Sequence, residues 1–190
     1  MLILMGKRKK KKSKTVDITY KLTMAMLTNS NDFYEYSKKQ IDSALQSGVI
    51  KNDFSRINSA MKNIFRYFYN HSKTDGAWDL KNVWKLSKNN KYKYDKDTFD
   101  YDDVGNFHFG FVGYQLFPLK VLQAGAGVYQ VKSGTSHFRY ASTLFDDPRD
   151  SKKIKEGYNL AKDSQVSTVR EYFSKKIKKY PKYVWKIMTR

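Results

Sequence analysis

The chain has no cysteine, only three prolines, and only three glutamates among its eighteen acids. The missing cysteine excludes a disulfide framework, a thiolate zinc site and any cysteine nucleophile. No apolar run approaches the roughly 20 residues that a membrane-spanning helix needs. A Walker-type phosphate loop, an HExxH metal motif and a nucleophile elbow are all lacking. Gly125-Ala126-Gly127 lacks the spacing of a dinucleotide fingerprint and lies inside an apolar segment. No signal peptide is recognisable: Met1 to Met5 is apolar for only five residues, and the basic run follows it, the reverse of a secretory signal. There is no internal repeat and no second hydrophobic core.

What the chain has is lysine. Its 37 Lys and Arg against 18 acids give a net charge of +19 over 190 residues. Seven of the bases lie in residues 1–14, with no acid among them, and twelve lie in 152–190 against three acids. Residues 15–151 are left nearly balanced, at +3. A nucleic-acid reader concentrates charge where it reads; here the charge sits in the two arms. Residues 1–14 read as a disordered basic tail, with loose attraction to RNA or an anionic membrane. The hydrophobic content of 40%, rich in Tyr and Phe, suffices for one core. The expected fold is mainly α: a single compact helical domain, residues 15–190, with a long central loop and room for a short β element.

Helical spacing recurs along the chain. Residues 15–50 suggest two helical stretches, one through Leu22, Met24, Met26 and Leu27 and one from Phe33 to Leu45, with Gly48 as a stop. Over 54–69, Ile57, Met61, Ile64, Phe65 and Phe68 form one apolar face, with Asp53 as a cap. Residues 70–103 are polar and read as a long surface excursion anchored by Trp78 to Trp84. Residues 104–134 are apolar and glycine-rich, which predicts two short buried helices, with strand as the alternative for 106–114. Asp147-Pro148 marks another helix start. Residues 164–179 place Val166, Val169, Phe173 and Ile177 on one face of a basic C-terminal helix.

Three clusters can carry chemistry: Gly76-Ala77-Trp78-Asp79-Leu80-Lys81; Asp100-Tyr101-Asp102-Asp103-Val104-Gly105-Asn106-Phe107-His108-Phe109-Gly110; and Asp146-Asp147-Pro148-Arg149-Asp150. Crowded carboxylates repel unless a cation or a raised pKa relieves them, so the second cluster reads either as an oxygen-rich cation site or as a solvated loop neutralised by lysines. Asp103 abuts the apolar segment, where a carboxylate needs a partner. His108 lies five residues on, where a helix is expected to face it to nearly the same side as Asp103, and with that carboxylate nearby it can serve as a general acid or base or simply as a satisfied core histidine. His71 and His137 read as surface residues. Asp147 and Asp150 suit a helix start, which leaves Asp146 without a structural reason. Trp78 reads as an anchor or a substrate platform, and Lys81 as a phosphate contact.

The order WDLK, then YDDVGNFHFG, then GAG before Gln130, then DDPRD resembles the type 44 toxin domain of bacterial polymorphic toxins, over roughly residues 15–160. The sequence departs from the family's NFHYG motif at Phe109, which removes a phenol. The resemblance implies a toxin module that is secreted or delivered into a target cell and antagonised by a cognate immunity protein. The chain has no delivery part, so the expectation is a fragment, an orphan cassette or a detached module. The immunity protein is expected to be acidic, because a +19 surface attracts negative charge.

Combined with the clusters, this suggests a hydrolase cleaving a phosphate ester or anhydride, in RNA or in a polyprenyl-pyrophosphate cell-wall precursor. The expected catalytic residues are Asp103, His108, Asp146 and Asp150. A divalent cation, Mg or Ca, is expected on Asp103, Asp146 and Asp150. Trp78, Asp79, Lys81, Asn106 and Arg149 are expected to bind substrate. A glycosidase using two carboxylates is a further possibility. The alternative class is non-enzymatic: a basic helical module that binds an anionic membrane or nucleic acid through its C-terminal helix and Tyr180, Tyr183 and Trp185.

Overall fold

A computed structural model describes residues 13–46, 53–123 and 148–177, and only the backbone of residues 53, 54, 148–150 and 177. The basic arms 1–12 and 178–190, His137, Asp146 and the Gly125–Gly127 segment lie outside the described residues.

Where the sequence suggests two helical stretches, a single helix α1 runs from Thr19 to Leu45. Its buried stripe is Leu22, Met26, Ser30, Phe33, Ser37, Ile41 and Ala44, a continuous 3.6-residue period. Two serines occupy stripe positions, so the apolar pattern breaks in the sequence while the helix does not. The Gln115 side-chain amide donates to both the carbonyl and the hydroxyl of Ser30, giving that position a polar partner inside the core. Helix α2 (Asp53–Ser72) packs Ile57, Ala60, Ile64 and Phe68 toward α1, as its periodicity predicts. Phe33 of α1 meets Phe68 at 5.3 Å between ring centroids.

The segment expected as a surface excursion is not a bare loop. It contains a short helix α3 (Leu80–Val83) and two strands, β2 (Lys91–Tyr94) and β3 (Asp97–Phe99), joined as an antiparallel hairpin. A third strand, β1 (Thr15–Asp17), pairs parallel with β2, Val16 opposite Tyr92. Tyr92 and Phe99 point inward and are buried, while Lys91 and Lys93 point out. The Tyr92 hydroxyl accepts the Ser87 N–H at 2.7 Å and donates to the Ser87 carbonyl at 3.0 Å, which closes the preceding loop.

Asp100 and Asp103 form a capping box that starts the central helix α4 (Tyr101–Gly113). Residues 106–113 are thus helical, not extended. The next apolar segment begins with the short helix α5 (Leu119–Gln123). Helix α6 (Pro148–Asp163) starts at the expected proline and packs on α4 more extensively than any other pair of elements. The two cross at glycines: a Cβ on Gly110 would collide with the Ile154 carbonyl, and one on Gly157 with the Phe107 carbonyl. Helix α7 (Val169–Ile177) begins later than the sequence suggests, because Thr168 and Glu171 cap it reciprocally. It lies on α1, with the Tyr172 hydroxyl donating to Asp42 at 2.6 Å and Lys176 paired to the same carboxylate at 3.1 Å. Among the described residues no helix is long and apolar enough to cross a membrane.

Candidate active site

The end of α2, the turn after it, α3 and α4 surround a cavity of about 200 Å³, with Ile154 of α6 also in its wall. The turn is shaped by backbone chemistry. A Cβ on Gly76 would collide with the His71 carbonyl, and Asp75 takes a left-handed φ of 61°. The Trp78 N–H then returns to the His71 carbonyl at 2.8 Å, and Gly76 to Asp79 folds back over the end of α2.

That fold-back carries the first motif into the cavity. Trp78 is buried among Phe33, Phe68 and His71 and lines the wall. It is an anchor whose surface also bounds the cavity. The Asp79 carboxylate accepts the Asn82 amide at 2.7 Å and the Asp75 N–H at 3.1 Å, so it holds the turn together. Lys81 reaches across to α4 and pairs with Asp102 at 3.0 Å. Partial burial pulls the Lys81 ammonium down, but the hydrogen bond and charge of Asp102, with Asp79 and Tyr101 behind them, raise it above the ordinary lysine value. Lys81 therefore stays cationic at any physiological pH.

The second motif supplies the opposite wall through Asp102, Gly105, Asn106, His108, Phe109 and Val112 of α4. His108 is only 1% exposed. Its Nε2 accepts the side-chain amide of Asn29 on α1 at 2.9 Å, since an amide nitrogen can only donate. Burial pushes its pKa down to about 4, opposed in part by a hydrogen bond to the Ala25 backbone. At neutral pH the ring is uncharged and held by its neighbours. That environment suits a positioning role better than the proton carrier expected from sequence.

Asp103 stands apart from the cavity. Five residues on a helix separate two side chains by about 140°, so Asp103 and His108 do not share a face. The Asp103 carboxylate instead accepts the Asp100 N–H at 2.8 Å in the capping box. Asp146 lies outside the described residues, and so do the side chains of Arg149 and Asp150. In backbone position Asp150 falls one turn before Ile154 on α6. Among the described residues no three acidic or histidine side chains gather closely enough to hold a metal ion. The expected cation set rests on Asp103 and two residues whose side chains are outside that description.

His71 is not the isolated surface residue expected. It stacks on Tyr67 at 3.9 Å, donates from Nδ1 to the Tyr67 carbonyl at 2.8 Å and backs Trp78. Of the expected site residues, Trp78, Asp79, Lys81, Asn106 and His108 come together in one cavity. Sequence reasoning missed Asn29, Lys73, Gly105 and the partnership of Lys81 with Asp102. Asn29 carries no local signal, because it lies 79 positions from His108. Lys73 had one, in its place just before the Gly76 turn.

Every described residue lining the cavity falls between Ser72 and Ile154. The family described as Bacterial toxin 44 matches residues 67–163, from the last turns of α2 to the end of α6, leaving β1, all of α1, most of α2 and all of α7 beyond the match. No curated protein and no solved structure matches the chain. The family match takes in both cavity-forming motifs and half of the chain, and by it this protein belongs to the bacterial toxin 44 family.

Proposed function

We propose that the cavity is the active site of a hydrolytic toxin that cleaves a phosphate ester or anhydride. The observation that carries the reading is the Lys81–Asp102 pair, set between the two motifs in the cavity. A permanently charged ammonium neutralises a non-bridging phosphoryl oxygen as negative charge builds on it. Asp102 is positioned to accept the proton of the attacking water as the oxygen–phosphorus bond forms and the leaving oxygen departs. Lys73 adds a second cation to the same cavity, and Asn106 an amide. His108, neutral and fixed by Asn29, shapes the wall.

The volume falls below the roughly 300 Å³ of common small-molecule pockets. It suits one phosphoryl group and its nearest atoms, with the rest of the substrate outside. RNA is the favoured substrate, because a chain of +19 attracts a polyanion over long range; a polyprenyl-pyrophosphate is the second. Membership in a toxin family also implies an immunity partner, which on charge grounds is acidic.

The test is growth of a bacterial host that makes the chain in the cytoplasm or exports it to the periplasm, each beside Lys81→Met. Arrest confined to the cytoplasm, with degraded RNA, supports the RNA reading. Lysis confined to export, with loss of the lipid-linked precursor, supports the second substrate. Equal harm from wild type and a folded Lys81→Met protein would overturn the catalytic reading.

A further inference from the structure

Helix α4 carries glycine at 105, 110 and 113. Two of the three are accounted for by packing. A side chain on Gly110 would strike the Ile154 backbone, and one on Gly113 would strike the Leu122 side chain. Gly105 is different. It has ordinary helical geometry, and a Cβ built on it meets nothing within 4 Å among the described residues. Glycine is the poorest helix former apart from proline, so neither the turn of the backbone nor the packing calls for it here. The space beside it is the cavity, with Asn106 next in sequence, Asp102 on the same helix and Lys81 reaching across from α3 to pair with it.

We infer that Gly105 is a substrate-positioning residue whose missing side chain is substrate space: a phosphoryl group lies against the bare backbone of α4 there, held by Lys81. This rests on the reading of the cavity as the active site. The inference makes Gly105 the determinant of how deeply the group enters. A methyl there lifts the group away from Lys81, and a larger side chain takes its place. A Cβ there meets no obstacle among the described residues, so binding and folding separate at this position, as they do not at Gly110.

The experiment uses the full chain, wild type beside Gly105→Ala, Gly105→Leu and Lys81→Met, made by cell-free synthesis and labelled for NMR. Inorganic phosphate is titrated while the amide signals of residues 105 and 106 are followed, and melting temperatures and growth arrest are measured for each protein. Wild type is expected to show phosphate-dependent shifts at these amides. Gly105→Ala is expected to melt higher than wild type and to bind phosphate several-fold more weakly. Gly105→Leu is expected to stay folded, to lose the shifts and to lose growth arrest. Absence of any shift in wild type overturns the phosphoryl assignment. Unchanged phosphate binding and full arrest in either folded Gly105 variant, with arrest lost in Lys81→Met, overturns the inference and leaves the active-site reading standing. Arrest persisting in folded Lys81→Met overturns that reading itself.

Discussion

In the C-terminal half of α4, Gly110 lies against the Ile154 carbonyl and Gly157 of α6 returns the contact at the Phe107 carbonyl. In the N-terminal half, Gly105 faces a cavity, and a Cβ on it would meet nothing among the described residues. One helix thus has two surfaces under different demands. At the α6 crossing, side chains are absent so that two backbones can touch. At the cavity, the side chain is absent with no backbone to admit. The Asp103 cap and the His108–Asn29 contact add to the first demand, fixing α4 in place at its start and against α1. The Lys81–Asp102 pair belongs with the second.

The largest effect should come from closing the backbone contact. Gly157→Ala places a methyl against the Phe107 carbonyl, which cannot move without shifting α4. Overpacking of this kind should cost about 3 kcal/mol or more, or roughly 10 °C in Tm, read by thermal unfolding. Acid should come next. An unfolded chain protonates His108 near the ordinary histidine value of 6.5, whereas the folded chain resists until about 4. Stability present at pH 7 is therefore lost as pH falls through this window, by about 3 kcal/mol at the lower end. Urea unfolding at pH 7, 5.5 and 4 should show this decline in wild type and a shallower one in His108→Asn.

A smaller effect is expected from Asp103→Ala, which removes half of a capping box and should cost about 1 kcal/mol. Because Asp103 lies off the cavity, growth arrest should survive that change; its loss in a folded protein would move Asp103 back into the chemistry. Smallest, and of opposite sign, Gly105→Ala should stabilise the chain by roughly 0.5–1 kcal/mol, whereas Gly110→Ala should destabilise it. Equal signs at the two glycines in chemical denaturation would erase the contrast between the two surfaces.

How much of this is legible in the sequence follows from the range of each signal. Helix α2 is readable because Ile57, Ile64 and Phe68 repeat within the helix itself. Helix α1 reads as two pieces because Ser30 sits on its buried stripe between Met26 and Phe33, and the partner that accommodates it, Gln115, is 85 positions away. The hairpin was hidden by lysines. Lys91-Tyr92-Lys93-Tyr94 alternates as a strand should, but its high charge resembles a solvated loop. The site is half readable. The residues of the WDLK and NFHFG motifs converge, yet Asp103 and His108 part because a five-residue step turns about 140° around a helix. Asn29 could not be found at all, since the contact exists only after α1 packs on α4.

The central claim is that the cavity between these motifs is where the toxin acts. The most direct measurement is growth arrest by Lys81→Met against wild type at equal expression, with each protein's melting temperature recorded. The account predicts that arrest disappears while the melting temperature stays within a few degrees, because a half-exposed ion pair contributes only about 1 kcal/mol or less to stability. Full arrest by a natively folded Lys81→Met protein would contradict it.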